Sequence, residues 1–267
     1  MKSLELTSTA QHHLADAAFV SGILWERGWA VKNGGNISVD ITGEVDLRTS
    51  ELDQFPYKRL EHTYPDLSQV FLLVTGAGTR MRDVANQPIN NVCIIRFSNE
   101  GSGYHIIHDD VFNSHLVPTS ELPTHLAIHQ LLKKQGGTQK AVLHTHPTEL
   151  IALTLIPGFC EESRLNKILY SVQPEAVIAN SKGIGLVQYI LPGTEQLAEK
   201  TVASLQHHSI ILWGKHGCIA TAKNVQEAFD LIDVMNKSAQ LFFLCREAGY
   251  TPQGLTEQEI EALKKMV

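Results

Sequence analysis

The chain reads as an α/β or α+β protein with one mixed or antiparallel sheet, and three observations carry that prediction. Short apolar or alternating runs bounded by turn residues recur at 37–41, 71–75, 92–97, 104–107, 141–146, 209–213 and 218–221. Segments with apolar residues at helical spacing bracket them, at 10–28, after 120, after 147 and over 225–246. Two strand pairs are joined by short glycine-bearing turns, the mark of hairpins rather than of parallel crossovers.

Taken in order, Leu14, Ala17, Ala18, Ile23 and Leu24 define a first helix that stops at Arg27-Gly28. Asn33-Gly34-Gly35-Asn36 is a tight turn that feeds the alternating strand Ile37-Ser38-Val39-Asp40-Ile41. Residues 44–66 are polar and irregular, with a short extended piece and a loop. Phe71 to Thr75 is an apolar strand ending in Gly76-Ala77-Gly78, and 92–97 with 104–107 flank the hairpin signal Asn99-Glu100-Gly101-Ser102-Gly103. Pro118-Thr119-Ser120 opens a helix carrying Leu122, Leu126, Leu131 and Leu132, with Ser120 the expected N-cap and Pro123 tolerated in the first turn. Ala141 to His146 is a strand, and Pro147 opens a helix through Leu155. Ser209–Trp213 and Cys218–Thr221 pair around Gly214-Lys215-His216-Gly217. A long amphipathic helix from about Val225 to Arg246, closed by Gly249, and a short last helix follow.

With 267 residues, 43% hydrophobic and 19% charged, the chain can bury a full core, and no linker or charge run divides it, so one domain is expected over 1–267. A net charge of −6 argues against a nucleic-acid surface, while a local site can still take a small anion. No apolar run reaches the roughly 18 residues of a membrane span. Met1 to Leu14, with its lone Lys2, does not read as a signal peptide. Cys93, Cys160, Cys218 and Cys245 lie far apart without a C-x-x-C pair, which suits reduced thiols and a cytoplasmic location.

His144-x-His146 is the sharpest chemical feature. On a strand, residues i and i+2 share a face, so both imidazoles can approach one ion, and His216 in its glycine-flanked turn offers a third ligand. Thirteen histidines also make chance pairs unavoidable, as with His12-His13 and His207-His208. Glu121 has two readings as well. An acidic residue at a helix N-terminus complements the dipole by about 0.3–1 kcal/mol, or the carboxylate serves as a general base beside a metal. The turns at 33–36 and 75–78, with Thr119-Ser120, could cradle a phosphate through backbone N–H groups or could simply be turns. Neither fits a P-loop or a dinucleotide fingerprint.

The ordered segments N-G-G-N, V-T-G-A-G, G-Y-H-I, P-T-S-E-L-P-T-H, H-T-H-P-T-E-L-I-A-L-T, L-P-G-T and H-S-I-I-L-W-G-K-H-G resemble the class II aldolase/adducin family. The resemblance runs from about Leu14 to Gly217 and more loosely beyond. It implies a single αβα-type domain, with a central, largely antiparallel sheet flanked by helices, assembled as a homotetramer with sites at subunit interfaces. It also implies a small-molecule ketose phosphate substrate and a Zn²⁺ ion on His144, His146 and His216. Glu121 would be the catalytic base acting on the dihydroxyacetone phosphate half, and Asn33, Gly35, Asn36, Gly76, Thr119 and Ser120 would hold the phosphate. Glu175 falls where a second acid/base is supplied by a neighbouring subunit, after a stretch, 156–174, that matches poorly. Ala77 stands where the related enzyme has serine, which leaves the backbone amides of Gly76 and Ala77 to serve there. The same family contains other sugar-phosphate aldolases, pentulose-phosphate epimerases, dehydratases and non-catalytic adducin-like modules. A metallohydrolase is disfavoured by the absence of H-E-x-x-H.

Overall fold

A computed structural model describes residues 5–46, 49–107 and 116–266. Met1 and Lys2, part of the leader reading, lie outside them. In chain order the strands are β1 (Glu5–Leu6), β2 (Asn36–Asp40), β3 (Val45–Asp46), β4 (Tyr57–Arg59), β5 (Phe71–Thr75), β6 (Val92–Phe97), β7 (Gly103–Ile107), β8 (Ala141–Thr145), β9 (Ile184–Val187), β10 (Ile210–Trp213) and β11 (Gly217–Ala222). The helices are α1 (Ser8–Glu26), α2 (Met81–Asn86), α3 (Pro88–Asn91), α4 (Leu122–Gln135), α5 (Thr148–Leu153), α6 (Glu162–Ser171), α7 (Pro174–Ala179), α8 (Glu195–Leu205), α9 (Val225–Glu247) and α10 (Glu257–Lys264). No described helix is long and apolar enough to cross a membrane.

Nine strands form one sheet in the order β4-β7-β6-β5-β2-β8-β11-β10-β9. Neighbours are antiparallel except β10 and β9. The short β1 and β3 pair separately. Inward side chains on one face, among them Ile37, Val39, Leu73, Leu143, Leu212 and Ala220, pack with residues of α1, α2, α5, α6, α7, α9 and α10. The other face meets α4 and α8 through two clusters, one around Leu72, Val74, Ile95, Leu122 and Leu126, the other around Ile128, Leu132, Val142, Leu197, Trp213 and Ile219. Helices therefore cover both faces, and the expected αβα layering with a largely antiparallel sheet is what the chain adopts.

Local chemistry explains several boundaries. Thr7 caps α1 by accepting from the Ala10 N–H, and Gly28, at φ +72°, lets the chain leave it. Asn224 caps α9 in the same way, and Thr256 with Glu259 forms a capping box on α10. One expectation fails. The N-cap of α4 is Glu121, not Ser120, and the Glu121 side chain makes no capping bond. Its carboxylate is turned away from its own helix, toward the sheet. Residues 162–205, for which no element is anticipated above, contain α6, α7, β9 and α8.

The strand at 36–40 departs most from a simple reading. Alternation of apolar and polar residues usually marks a strand with one wet face, yet every residue of β2 is buried. Ile37 and Val39 enter one core, and Asn36, Ser38 and Asp40 face α4. Because α4 seals that face through Leu122, Leu126, Ile128 and Leu132, its docking is tied to sheet burial. Leu126→Ala, at a fully buried position, should lower the unfolding free energy by about 2–5 kcal/mol. Urea titration checks this; a loss below about 1 kcal/mol would mean that α4 is not a cooperative part of the core.

Candidate metal and substrate site

Five segments meet at one end of the central strands of the sheet. In an antiparallel array the start of β2, the end of β5, the end of β8 and the start of β11 lie together, and the register confirms it. Asn36 pairs with His144, Ser38 with Val74, and Cys218 with Thr145. The N-terminus of α4 closes the group. The resulting cleft has a volume of about 310 Å³. Its lining contains Asn33, Gly35, Asn36, Gly76, Thr119, Ser120, Glu121, His144, His146 and His216, so the fold gathers ten of the eleven residues singled out from the sequence.

The three imidazoles converge. Each offers one ring nitrogen within 4.8 Å of the other two, and Nε2 of His144 and of His146 are 3.1 Å apart. His144 donates its Nδ1–H to the Cys218 carbonyl at 2.8 Å, which fixes the tautomer and leaves the Nε2 lone pair facing the cleft. Burial holds the rings neutral. Desolvation, reinforced by His216, lowers His144 to about 3, and desolvation with His144 lowers His146 to about 4. His216 is lowered by burial too, against the opposing pull of Glu121. Its Nδ1 is buried without a hydrogen-bond partner among the described residues. Three neutral nitrogen donors beside a carboxylate, one holding an orphaned ring nitrogen, suit a borderline divalent cation such as zinc.

Close packing shapes this set. A Cβ on Gly217 would lie 2.5 Å from the Thr145 carbonyl oxygen and 2.7 Å from the His146 ring, and one on Gly34 would lie 2.8 Å from that ring. The Trp213 indole is stacked on His216 and tilted against His144, with ring centroids 5.3 and 4.6 Å apart. It is itself held by an Nε1–H donated to Thr201 Oγ1. Lys215, in the left-handed region at φ +65°, aims the hairpin tip so that His216 points inward.

Glu121, 8% exposed, lies 3.4 Å from His144 Nε2 and 3.7 Å from His216 Nε2, and accepts from Asn36 Nδ2 at 2.9 Å. A polar ladder continues behind it. Asn36 Oδ1 meets His125 Nε2, whose Nδ1 meets Ser38 Oγ at 2.6 Å, and Ser38 Oγ meets His129 Nε2 at 2.7 Å. Asp40 pairs with Lys133 at the outer end. Residues 121, 125, 129 and 133 follow a four-residue helical spacing against 36, 38 and 40 of the strand, a match legible in the sequence only once α4 and β2 are known to be neighbours.

Other assignments come out differently. The amides of Gly76 and Ala77 are committed to the carbonyls of Asn91 and Val117, so they are not free to hold an anion, and Ala77 does not line the cleft. Glu175 sits exposed in the first turn of α7, outside the cleft of its own chain. Lys32, exposed and in the left-handed region at φ +58°, does line the cleft and supplies a cation beside Asn33 and Ser120 that the turn signal alone does not reveal.

The chain belongs to the class II aldolase and adducin family, whose N-terminal-domain model matches residues 15–243. Among its relatives, rhamnulose-1-phosphate aldolase of Bacteroides thetaiotaomicron is 36% identical over 265 residues, covering 98% of this chain and 97% of the relative. The enzyme of that name from an Enterobacter species is 32% identical over 262 residues, 94% of each chain. The crystal structure of a sugar-phosphate aldolase from Thermotoga maritima superposes with a TM-score of 0.77 at 31% identity, covering 92% of this chain and 100% of that one.

The ladder makes stability depend on pH. Burial, against the opposing influence of Asp40, lowers His129 to about 4, and burial pushes His125 well below the ordinary range. Unfolded imidazoles titrate near about 6.5, so below that pH the unfolded chain takes up protons that the native state refuses. Stability is then complete above about 6.5 and falls toward pH 4, by up to about 1.4 kcal/mol per pH unit for each such histidine. Urea unfolding at pH 7 and pH 5 should show this loss, and His129→Gln should make it shallower. An unchanged slope in the variant would show that His129 does not contribute.

Proposed function

We propose that this protein is a zinc-dependent aldolase that cleaves L-rhamnulose 1-phosphate to dihydroxyacetone phosphate and L-lactaldehyde. The observation that carries the reading is the convergence of three neutral imidazoles and the Glu121 carboxylate in one cleft. The near full-length similarity to rhamnulose-1-phosphate aldolases supports the choice of sugar.

In this reading His144, His146 and His216 hold the ion, and being neutral they leave its charge undiminished. The chemistry zinc supplies when bound is Lewis-acid stabilisation of negative charge on the ketone and neighbouring hydroxyl oxygens, worth several kcal/mol. Cleavage passes the C4-hydroxyl proton to the Glu175 carboxylate of a neighbouring subunit, breaks the C3–C4 bond and leaves the electron pair on the three-carbon phosphate half. Glu121, having taken up a proton from solvent in the open cleft, delivers it to C3 of that half, and in the synthetic direction takes it back as the base. Thr119 and Ser120 at the N-terminus of α4, with Asn33, Gly35, Asn36 and Lys32, face the phosphate, where helix dipole and lysine charge both favour an anion. No Schiff-base lysine is needed. The whole chain acts as one cytoplasmic domain within a homotetramer, and Glu175 of a neighbouring subunit serves the aldehyde oxygen.

Chelation should abolish cleavage and zinc restore it, and His144→Ala or His216→Ala should lose both metal and turnover. A metal-free sample with full activity, assayed by coupled detection of dihydroxyacetone phosphate, would remove the ion from the mechanism. Glu121→Gln should keep zinc while lowering kcat by roughly 10²–10⁴-fold, and a change under about threefold would leave Glu121 without a proton-transfer role. Glu175→Ala should impair cleavage while deuterium exchange into dihydroxyacetone phosphate persists; equal losses in both assays would exclude the aldehyde-side assignment.

A further inference from the structure

The ladder behind Glu121 has a direction. A carboxylate only accepts, so the Asn36 atom facing Glu121 is the amide nitrogen, and its carbonyl oxygen faces His125 Nε2. That oxygen requires His125 to carry its proton on Nε2. A neutral imidazole then presents Nδ1 as an acceptor, so Ser38 Oγ–H donates to it, and Ser38 Oγ in turn accepts from His129 Nε2–H. Every donor along the chain points toward Glu121. Both histidines are kept neutral by burial, as this pattern demands. Ser38, His125 and His129 are 0–2% exposed, so no solvent competes for these bonds.

We propose that His125 is a positioning residue for the reaction. Its Nε2–H locks the Asn36 amide, which in turn clamps Oε2 of Glu121 and sets the aim of the carboxylate, with Ser38 and His129 fixing the tautomer from behind. Without the clamp Oε2 of Glu121 loses the Asn36 donor that fixes it at 2.9 Å, and the carboxylate is free to rotate away from the aim the substrate carbon requires. His125 does not line the cleft, so it acts through Asn36. This inference rests on the reading of Glu121 as the proton-transfer group.

The test uses the zinc-loaded full-length protein and deuterium exchange into dihydroxyacetone phosphate, with KM, zinc content and Tm measured in parallel. His125→Leu should lower kcat on the order of 10–100-fold, as loss of an outer hydrogen-bond partner does, with zinc content and KM nearly unchanged. His125→Gln, whose side-chain amide can still donate to Asn36, should recover most of the rate. In a Glu121→Gln background His125→Leu should cost nothing further, because both changes remove one function. Ser38→Ala, a smaller change less able to disturb folding, should lower kcat several-fold through the same path. Equal losses in His125→Leu and His125→Gln, rates that follow Tm, a change in KM alone, or losses that multiply with Glu121→Gln would each overturn the proposal. If Glu121→Gln exchanges at the full rate, the general-base assignment falls and the clamp with it. If it does not, but His125→Leu does, only the clamp falls.

Discussion

The antiparallel register of β2, β8 and β11 is the constraint on which the rest of the site depends. It sets Asn36 against His144 and Cys218 against Thr145, so a glutamate-clamping amide and a metal-type imidazole emerge at the same end of adjacent central strands. The carbonyl that fixes the His144 tautomer belongs to the neighbouring strand. A slip of one residue in either pairing would turn these side chains to the opposite face and exchange them for Ile37 or Leu143. The hydrophobic cores on both faces thus enforce the chemistry. Ile37 and Leu143 belong in one core and Val142 in the other, and only one register puts them there.

Buried polarity is concentrated in the interface between β2 and α4, and it survives because the two periods agree. Two residues of strand advance about 6.6 Å and four residues of helix about 6 Å, so each strand residue stays between two successive helix residues: 36 between 121 and 125, 38 between 125 and 129, 40 between 129 and 133. Each polar group finds a partner, and the desolvation penalty of several kcal/mol for an unmatched group is avoided. An apolar interface of the same size would be simpler to stabilise. What this one adds is orientation, since hydrogen bonds resist rotation of a side chain that van der Waals contact leaves free.

Close backbone approach completes the site. Gly217 and Gly34 admit the His146 ring at distances that any Cβ would forbid, and Trp213 braces two of the three imidazoles from one side. The cleft is therefore rigid on its histidine wall. Its lining also includes exposed Lys32, Asn33 and Ser120, a cation and polar groups of the kind that suit a small anion.

The sequence by itself determined most element types and nominated the three histidines, while the αβα layering came with the family resemblance. Period-two and helical patterns are local, and three histidines with a glutamate are conspicuous against glycine-rich turns. Residues 162–205 were less legible because α6, α7 and β9 are short, and β9 joins the sheet at its edge by the one parallel pairing, which leaves no hairpin signal. Whether His144 and His146 were ligands or chance neighbours, and whether Glu121 served its helix or the cleft, could not be read from spacing. Both readings have the same local sequence. Tertiary structure decided the geometry behind each question: His216 is brought across from a hairpin 70 residues away in sequence, and Glu121 makes no cap and turns to Asn36 instead. It also decided against the Gly76 and Ala77 amides, whose partners at Asn91 and Val117 are long-range. Such facts depend on which segments become neighbours, and that is settled by the whole core at once rather than by any local pattern.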